Sequence, residues 1–297
     1  MKEQEIKKAV RQRYARAATQ GGGCGCGGVA ASSCCGSTDV AQNISKAVGY
    51  SDEDIGAVPE GANLGLGCGN PVALASLKEG EVVLDLGAGG GFDCFLAAKK
   101  VGKKGKVIGV DMTPEMIDKA RENARRGGYT NVEFRLGEIE NLPAADNSVD
   151  AVISNCVINL APDKERVFSE AHRVLKPGGR LMVSDIVLLK ELPQAIKASV
   201  EAYVGCISGA MLRDGYLKAM RKAGLTGVKV VQQTSFPVEF IVDDKTMKTL
   251  LKDVQLTEDE LRDSASSVVS VKVEAVKPKR QARRAKGRLI ALRQRNY

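Results

Sequence analysis

The stretch Val82 to Phe95, VVLDLGAGGGFDCF, constrains this chain more than any other. Val82, Val83, Leu84 and Leu86 surround Asp85, and a glycine run follows. An apolar, β-branched run that stops at glycines reads as a buried parallel strand ending in a tight turn. Phe92 to Lys100 then has helical spacing, so the stretch is a strand, a glycine turn and a helix start. Gly87, Gly89 and Gly91 carry no Cβ, which lets a ligand approach the backbone closely. The dinucleotide fingerprint Gly-x-Gly-x-x-Gly would need glycine at position 92. This chain has Phe92 there, which disfavours a nicotinamide cofactor.

The same alternation continues downstream. A strand is expected at 106–111, ending in Asp111, where α/β nucleotide folds place an acid that accepts hydrogen bonds from ribose hydroxyls. Thr113-Pro114 reads as an N-cap followed by proline at the first helical position, and that helix should stop at Gly127-Gly128. VEFRL is a third strand, followed by GEIENLP at its carboxyl end, the end where ligands bind in such sheets. Val149 to Ser154 is a fourth strand, followed by SNCVINL, and RLMVSDIVL is a fifth. Strands alternating with helices give a doubly wound α/β sheet. Beyond residue 190 the pattern changes to helices over 194–211 and 214–223, strands near 228–234 and 237–242, helices near 244–263 and a last strand near 267–275.

Four regions follow. Residues 1–44 are a polar helix and a flexible Cys/Gly-rich arm, 45–190 the core, 191–276 a smaller α+β substrate domain and 277–297 a basic tail. The tail carries nine Lys and Arg without an acid, against a net charge of +8 for the whole chain, so the globular part is near neutral. No aromatics interleave with those charges to stack bases, so nucleic acid is not expected as a partner. No stretch approaches the roughly 20 apolar residues that a membrane helix needs. The N-terminus, MKEQEIKKAVRQRY, has no apolar segment of signal-peptide type, so the expected location is the cytoplasm.

In that compartment eight cysteines read as thiols for metal binding or chemistry rather than as a disulfide framework. Cys24, Cys26, Cys34 and Cys35 lie in GGGCGCGGVAASSCCGS, whose composition cannot build a core. A zinc site, a mobile thiol arm and an inert linker are all open readings of that segment. Cys68 sits between glycines in NLGLGCGNP, an arrangement that favours access over burial. Cys94 lies on the helix after the glycine turn and reads as core.

The segments LDLGAGGGFD, GVDMTPEMI, GEIENLP, SNCVINL, HRVLKPGGRL and EAYVGCISGA stand in that order. The first resembles motif I of the class I S-adenosylmethionine methyltransferases. The set containing LGCGNP, SNCVINL and AYVGCISGA resembles the arsenite S-adenosylmethionine methyltransferases, over about residues 45–276.

That resemblance implies a seven-stranded, mostly parallel Rossmann-like sheet. It puts Asp85, Gly87, Gly89 and Gly91 around the methionine moiety of S-adenosylmethionine, Asp111 on the ribose and Met112 against the adenine. Glu138 and Ile139 would recognise the adenine edge, and Asn155 would line the pocket. The resemblance brings Cys68, Cys156 and Cys206 together on trivalent arsenic, a soft ion for which thiolates are natural ligands. A further cysteine near the N-terminus, Cys34 or Cys35, would enter a disulfide relay reset by thioredoxin or a small thiol. The expected protein is a monomeric detoxifying enzyme. A methyltransferase for a small organic acceptor such as a quinone precursor, or a thiol-based arsenic- or zinc-binding protein, would account for only part of these features.

Overall fold

The computed structural model describes residues 3–19, 37–67, 69, 74, 76–193, 209–235, 263–264 and 266–279. The expected strand near 237–242, the helices near 244–263 up to 262, the helix at 194–211 up to 208, the arm at 20–36 and the tail from 280 lie outside the described residues; residues 209–211, expected to end that helix, are not helical. So do Cys24, Cys26, Cys34, Cys35, Cys68 and Cys206.

Seven strands form one sheet: β1 (Val82–Leu86), β2 (Lys106–Asp111), β3 (Val132–Leu136), β4 (Val149–Asn155), β5 (Leu175–Leu188), β6 (Thr226–Ser235) and β7 (Val268–Val276). Their order is β3-β2-β1-β4-β5-β7-β6. The first five are parallel, while β7 runs antiparallel between β5 and β6. This is the expected doubly wound, mostly parallel sheet, and the edge β7-β6 comes from the C-terminal part of the chain.

The central strand is buried because both of its faces are covered. Val83, Leu84 and Leu86 are fully enclosed, two of them in one apolar cluster and Val83 in another across the sheet. Helix α4 (Phe92–Val101) begins directly from the glycine turn, its N-cap being Gly91 at φ +96. Helix α5 (Pro114–Arg126) starts at Thr113 with proline at its first turn, but the Thr113 side chain makes no capping bond. Its hydroxyl is turned to Asp111 instead. Helices α6 (Lys164–Val174) and α7 (Arg213–Lys222) cover β4 and β5, with Phe168 edge-on to Tyr216, ring centroids 5.1 Å apart.

The N-terminal helix α1 (Glu3–Thr19) is polar in composition yet docks on the core. Val10 is 1% exposed, and it joins a cluster with Leu160, Ile186, Leu188, Leu192 and Val268. Farther along, Ala18 meets Leu64 and Met116, and Lys119 Nζ donates to the Ala18 carbonyl at 3.2 Å. Helices α2 (Ser37–Ala47) and α3 (Asp52–Gly56) follow, and α2 falls where the sequence reads as the end of the flexible arm. Lys277, assigned from sequence to the basic tail, donates to Asn147 Oδ1 and to the carbonyl of His172, so the core extends at least that far.

Gly109, mid-strand in β2, shows how tight the centre is. A Cβ there would stand 2.7 Å from both Ala88 Cβ and Phe134 Cδ1 and 2.8 Å from Cys94 Sγ. Gly109→Ala should cost about 1–3 kcal/mol by overpacking, read as a lower urea midpoint at unchanged slope.

Candidate active site

The sheet order reverses between β1 and β4, so the loops leaving their carboxyl ends part and open a crevice. One wall is the glycine turn. Gly87, Gly89 and Gly91 all have positive φ, and a Cβ on Gly89 would meet nothing within 4 Å. The space beside that turn is therefore open. Gly87 is held against the other wall, because a Cβ there would lie 2.4 Å from Val157 Cγ2. That second wall is the turn after β4, which carries Asn155 and Cys156.

Three acids line the base, Asp85 and Asp93 buried and Asp111 half-buried. Asp85 is 2% exposed, and Cys94 Sγ donates to its Oδ2 at 3.2 Å. Burial pushes this carboxyl well above the ordinary range, the charge of Asp93 adds to the effect, and the thiol opposes it. Asp93 is also raised by burial, against hydrogen bonds from Tyr50 Oη at 2.5 Å and Asn155 Nδ2 at 3.0 Å. Burial likewise raises Asp111, which accepts the backbone N–H of Thr113 at 2.9 Å and of Gly89 at 3.0 Å. Asp111 thus ties the end of β2 to the glycine turn.

Ile139 is buried in the core, and Met112 is half-buried beneath α1. Glu138 faces Lys7 of that helix, whose Nζ lies 2.7 Å from Glu138, 3.2 Å from Glu140 and 3.0 Å from Glu3. Burial alone would lower the Lys7 pKa, but the hydrogen bonds to Glu138 and Glu3 outweigh it and hold the ammonium charged. Ile6, Val10 and Tyr14 of α1 share one apolar cluster with Met112, Cys156 and Val157. The helix therefore roofs the crevice over both the glycine-turn side and the cysteine side.

Cys156 has φ +54, one of two non-glycine residues with positive φ among the described residues. A left-handed L-residue costs about 1–2 kcal/mol and persists only where the surroundings enforce it. Its N–H donates to Ser184 of β5 at 2.8 Å, and it is disulfide-bonded. Cys94, the other described cysteine, is a free and fully buried thiol. Its role is wider than a core residue, because burial and the neighbouring Asp85 keep it protonated and donating. On the opposite side, a Cβ at Gly67 would lie 3.0 Å from the amide atoms of Asn155, so the chain on one side of Cys68 touches the residue before Cys156.

Of the expected site residues, Asp85, Gly87, Gly89, Gly91, Asp111, Asn155 and Cys156 thus surround one crevice, and Glu138 and Met112 lie under its roof. Among the described residues no group of three His, Cys, Asp or Glu converges to hold a metal ion. No described helix is long and apolar enough to cross a membrane. Sequence reasoning missed Tyr50, Asp93 and Lys7. Asp93 lies within the glycine-turn stretch and was legible as a polar residue at a helix start; Tyr50 and Lys7 carry no local signal.

A methyltransferase-domain family pattern matches residues 77–224. An arsenite methyltransferase of Halobacterium salinarum is 46% identical over 282 residues, which is 93% of this chain and 68% of that protein. An arsenite methyltransferase of Aquipseudomonas alcaligenes is 42% identical over 56% of this chain, and the match spans about half, 49%, of its length. Among solved structures, an arsenic(III) S-adenosylmethionine methyltransferase from Chlamydomonas reinhardtii superposes with a TM-score of 0.54 at 35% identity, covering 70% of this chain and 73% of that one.

Four carboxyls, Asp85, Asp93, Asp111 and Asp185, hold their protons to higher pH than the unfolded chain does, Asp185 up to about 7. Stability from this source is complete below the unfolded value of 3.8 and is lost as pH rises through the folded values. Unfolding free energy from urea melts should therefore decline between about pH 4 and about pH 7, and Asp185→Asn should flatten part of that decline.

Proposed function

The chain belongs to the arsenite methyltransferase family, and on that basis we propose that it methylates trivalent arsenic held as a tris-thiolate by Cys68, Cys156 and Cys206. The observation that carries this reading is Cys156, a cysteine in a left-handed backbone at the carboxyl end of β4, in the turn whose next residue, Val157, stands against the glycine turn at the switch point. Gly67 against Asn155 brings the chain beside Cys68 to the same turn. The disulfide at Cys156 supports the idea that a second sulfur can come beside it, and it must be reduced before arsenic binds.

S-adenosylmethionine suits the crevice for a physical reason. Asp85, Asp93 and Asp111 are costly to ionise where they stand, and a ligand carrying sulfonium and ammonium charges would relieve that cost. Asp85, Gly87, Gly89 and Gly91 would hold its methionine end, Asp111 the ribose, and Met112, Glu138 and Ile139 the adenine. Bound there, it would supply an electrophilic sulfonium methyl group for the arsenic lone pair, with the S–CH3 bond breaking and the neutral thioether leaving.

The protein's own contribution is positional. Three thiols exchange with arsenous acid, releasing three waters, and leave the arsenic pyramidal with its lone pair free. No general base is required. Helix α1 closes the crevice against water, and the two walls hold the reactants in line. Methyl transfer formally raises arsenic from trivalent to pentavalent. Two electrons must then return, from two thiols that become a disulfide. Cys34 or Cys35 would be one of them, and thioredoxin or a small thiol would reset the pair. The products are mono- and further methylated arsenicals, made by a monomeric enzyme in the cytoplasm as a detoxification step.

With methyl-labelled cofactor and a thiol reductant, label should pass to arsenite and not to a quinone precursor; the reverse outcome would overturn the assignment. Asp111→Ala should weaken S-adenosylmethionine binding roughly tenfold or more in calorimetric titration, since hydrogen bonds to a charged acceptor are lost. Cys156→Ser should abolish arsenite methylation while cofactor binding is kept.

A further inference from the structure

Cys156 stands between two asparagines, Asn155 held by a buried carboxyl and a tyrosine, and Asn159 by a buried carboxyl and a backbone carbonyl. Upstream, Asn155 Nδ2 donates to Asp93 Oδ2 at 3.0 Å and to Tyr50 Oη at 3.0 Å, and Tyr50 donates to Asp93 Oδ1. Downstream, Asn159 Nδ2 donates to Asp185 Oδ1 at 2.9 Å and to the Ile186 carbonyl at 2.6 Å. Tyr216 Oη donates to Asp185 Oδ2 at 3.2 Å, and the Ile186 N–H donates to Asp185 Oδ1 at 2.9 Å. The first set faces the glycine turn. The second joins the turn to β5 and α7.

We propose that Asp185, Asn159 and Tyr216 form a clamp that positions Cys156 for arsenic, a role that rests on the reading of Cys156 as an arsenic ligand. Residues 184–186 of β5 grip the turn at two points. Ser184 O takes the Cys156 N–H, and Asp185 with Ile186 O takes the Asn159 side chain. These two grips span the residue with the left-handed φ, so they enforce that conformation.

Stability alone would not ask for this arrangement. Asp185, Asn159 and Tyr216 are all completely buried. A buried acid is a poor source of stability, and apolar side chains would fill the same volume at less cost. What this network adds is a fixed geometry: Asp185 collects donors from Asn159, Tyr216 and Ile186 at set places, even though the buried Asn159 Oδ1 has no partner of its own among the described residues. Tyr216 comes from α7, so the clamp also locks that helix to the strand beneath the turn. A sulfur that must meet arsenic and leave its lone pair aimed at the other wall needs such fixing.

The test uses the reduced full chain, with arsenite binding read by equilibrium dialysis and S-adenosylmethionine binding by calorimetry. Asn159→Ala and Asp185→Ala should each weaken arsenite binding by roughly tenfold or more, with cofactor affinity held within about twofold, because the Asp93 clamp is untouched. Asp185→Asn should rescue, since its amide oxygen still accepts from Asn159 and Ile186 while its NH2 donates to Tyr216. If Asp185→Ala does not fold, Tyr216→Phe carries the same comparison in milder form. Arsenite affinity unchanged in a folded Asn159→Ala would overturn the clamp. So would arsenite and cofactor affinities falling together, or Asp185→Asn failing as Asp185→Ala does. Cys156→Ser separates the two claims. Loss of arsenite binding there leaves the clamp to stand or fall on its own variants, whereas retained binding refutes the ligand reading and the clamp with it.

Discussion

The reversal of strand order between β1 and β4 is the constraint on which the site depends. Loops leaving two adjacent parallel strands normally run to the same side and fill the space above them. Here one continues toward β2 and the other toward β5, so a gap opens between Gly87 and Cys156. The gap stays narrow because Val157 fills the position a Cβ on Gly87 would occupy. The two walls then present a Cβ-free backbone on one side and the disulfide-bonded Cys156 on the other.

The electrostatics of the crevice follow from burial. Asp85, Asp93 and Asp111 are close enough to raise one another or are raised by burial, and each is supported by thiol, hydroxyl, amide or backbone donors. A set of acids like this is a poor structural choice and a good receptor for a cation. Helix α1 completes the enclosure with an ion cluster at one end, where Lys7 meets Glu138 and Glu140, and apolar contacts at the other.

Much of the core was legible in the sequence because its signals are local. The VVLDL run, the glycine turn and the Thr113-Pro114 helix start each depend on neighbouring residues, and β1, α4, β2 and α5 lie where those signals put them. Asp111 was legible for the same reason, since its role follows from its place at a strand end. The docking of α1 was not. Its composition is polar, and only Ile6, Val10 and Tyr14 on one face tell that it covers something. Tyr50 and Asp185 were invisible because their partners lie 43 and 26 residues away, at Asp93 and Asn159, and no pattern in the sequence joins them.

The arsenic site we propose lies at this switch point, with Cys156 and two further cysteine sulfurs as ligands. X-ray absorption at the arsenic edge, on the reduced full chain loaded with one arsenite, tests it most directly. Three sulfur neighbours are expected in the wild type, and loss of that three-sulfur shell in Cys156→Ser. An unchanged three-sulfur shell after Cys156→Ser would contradict it.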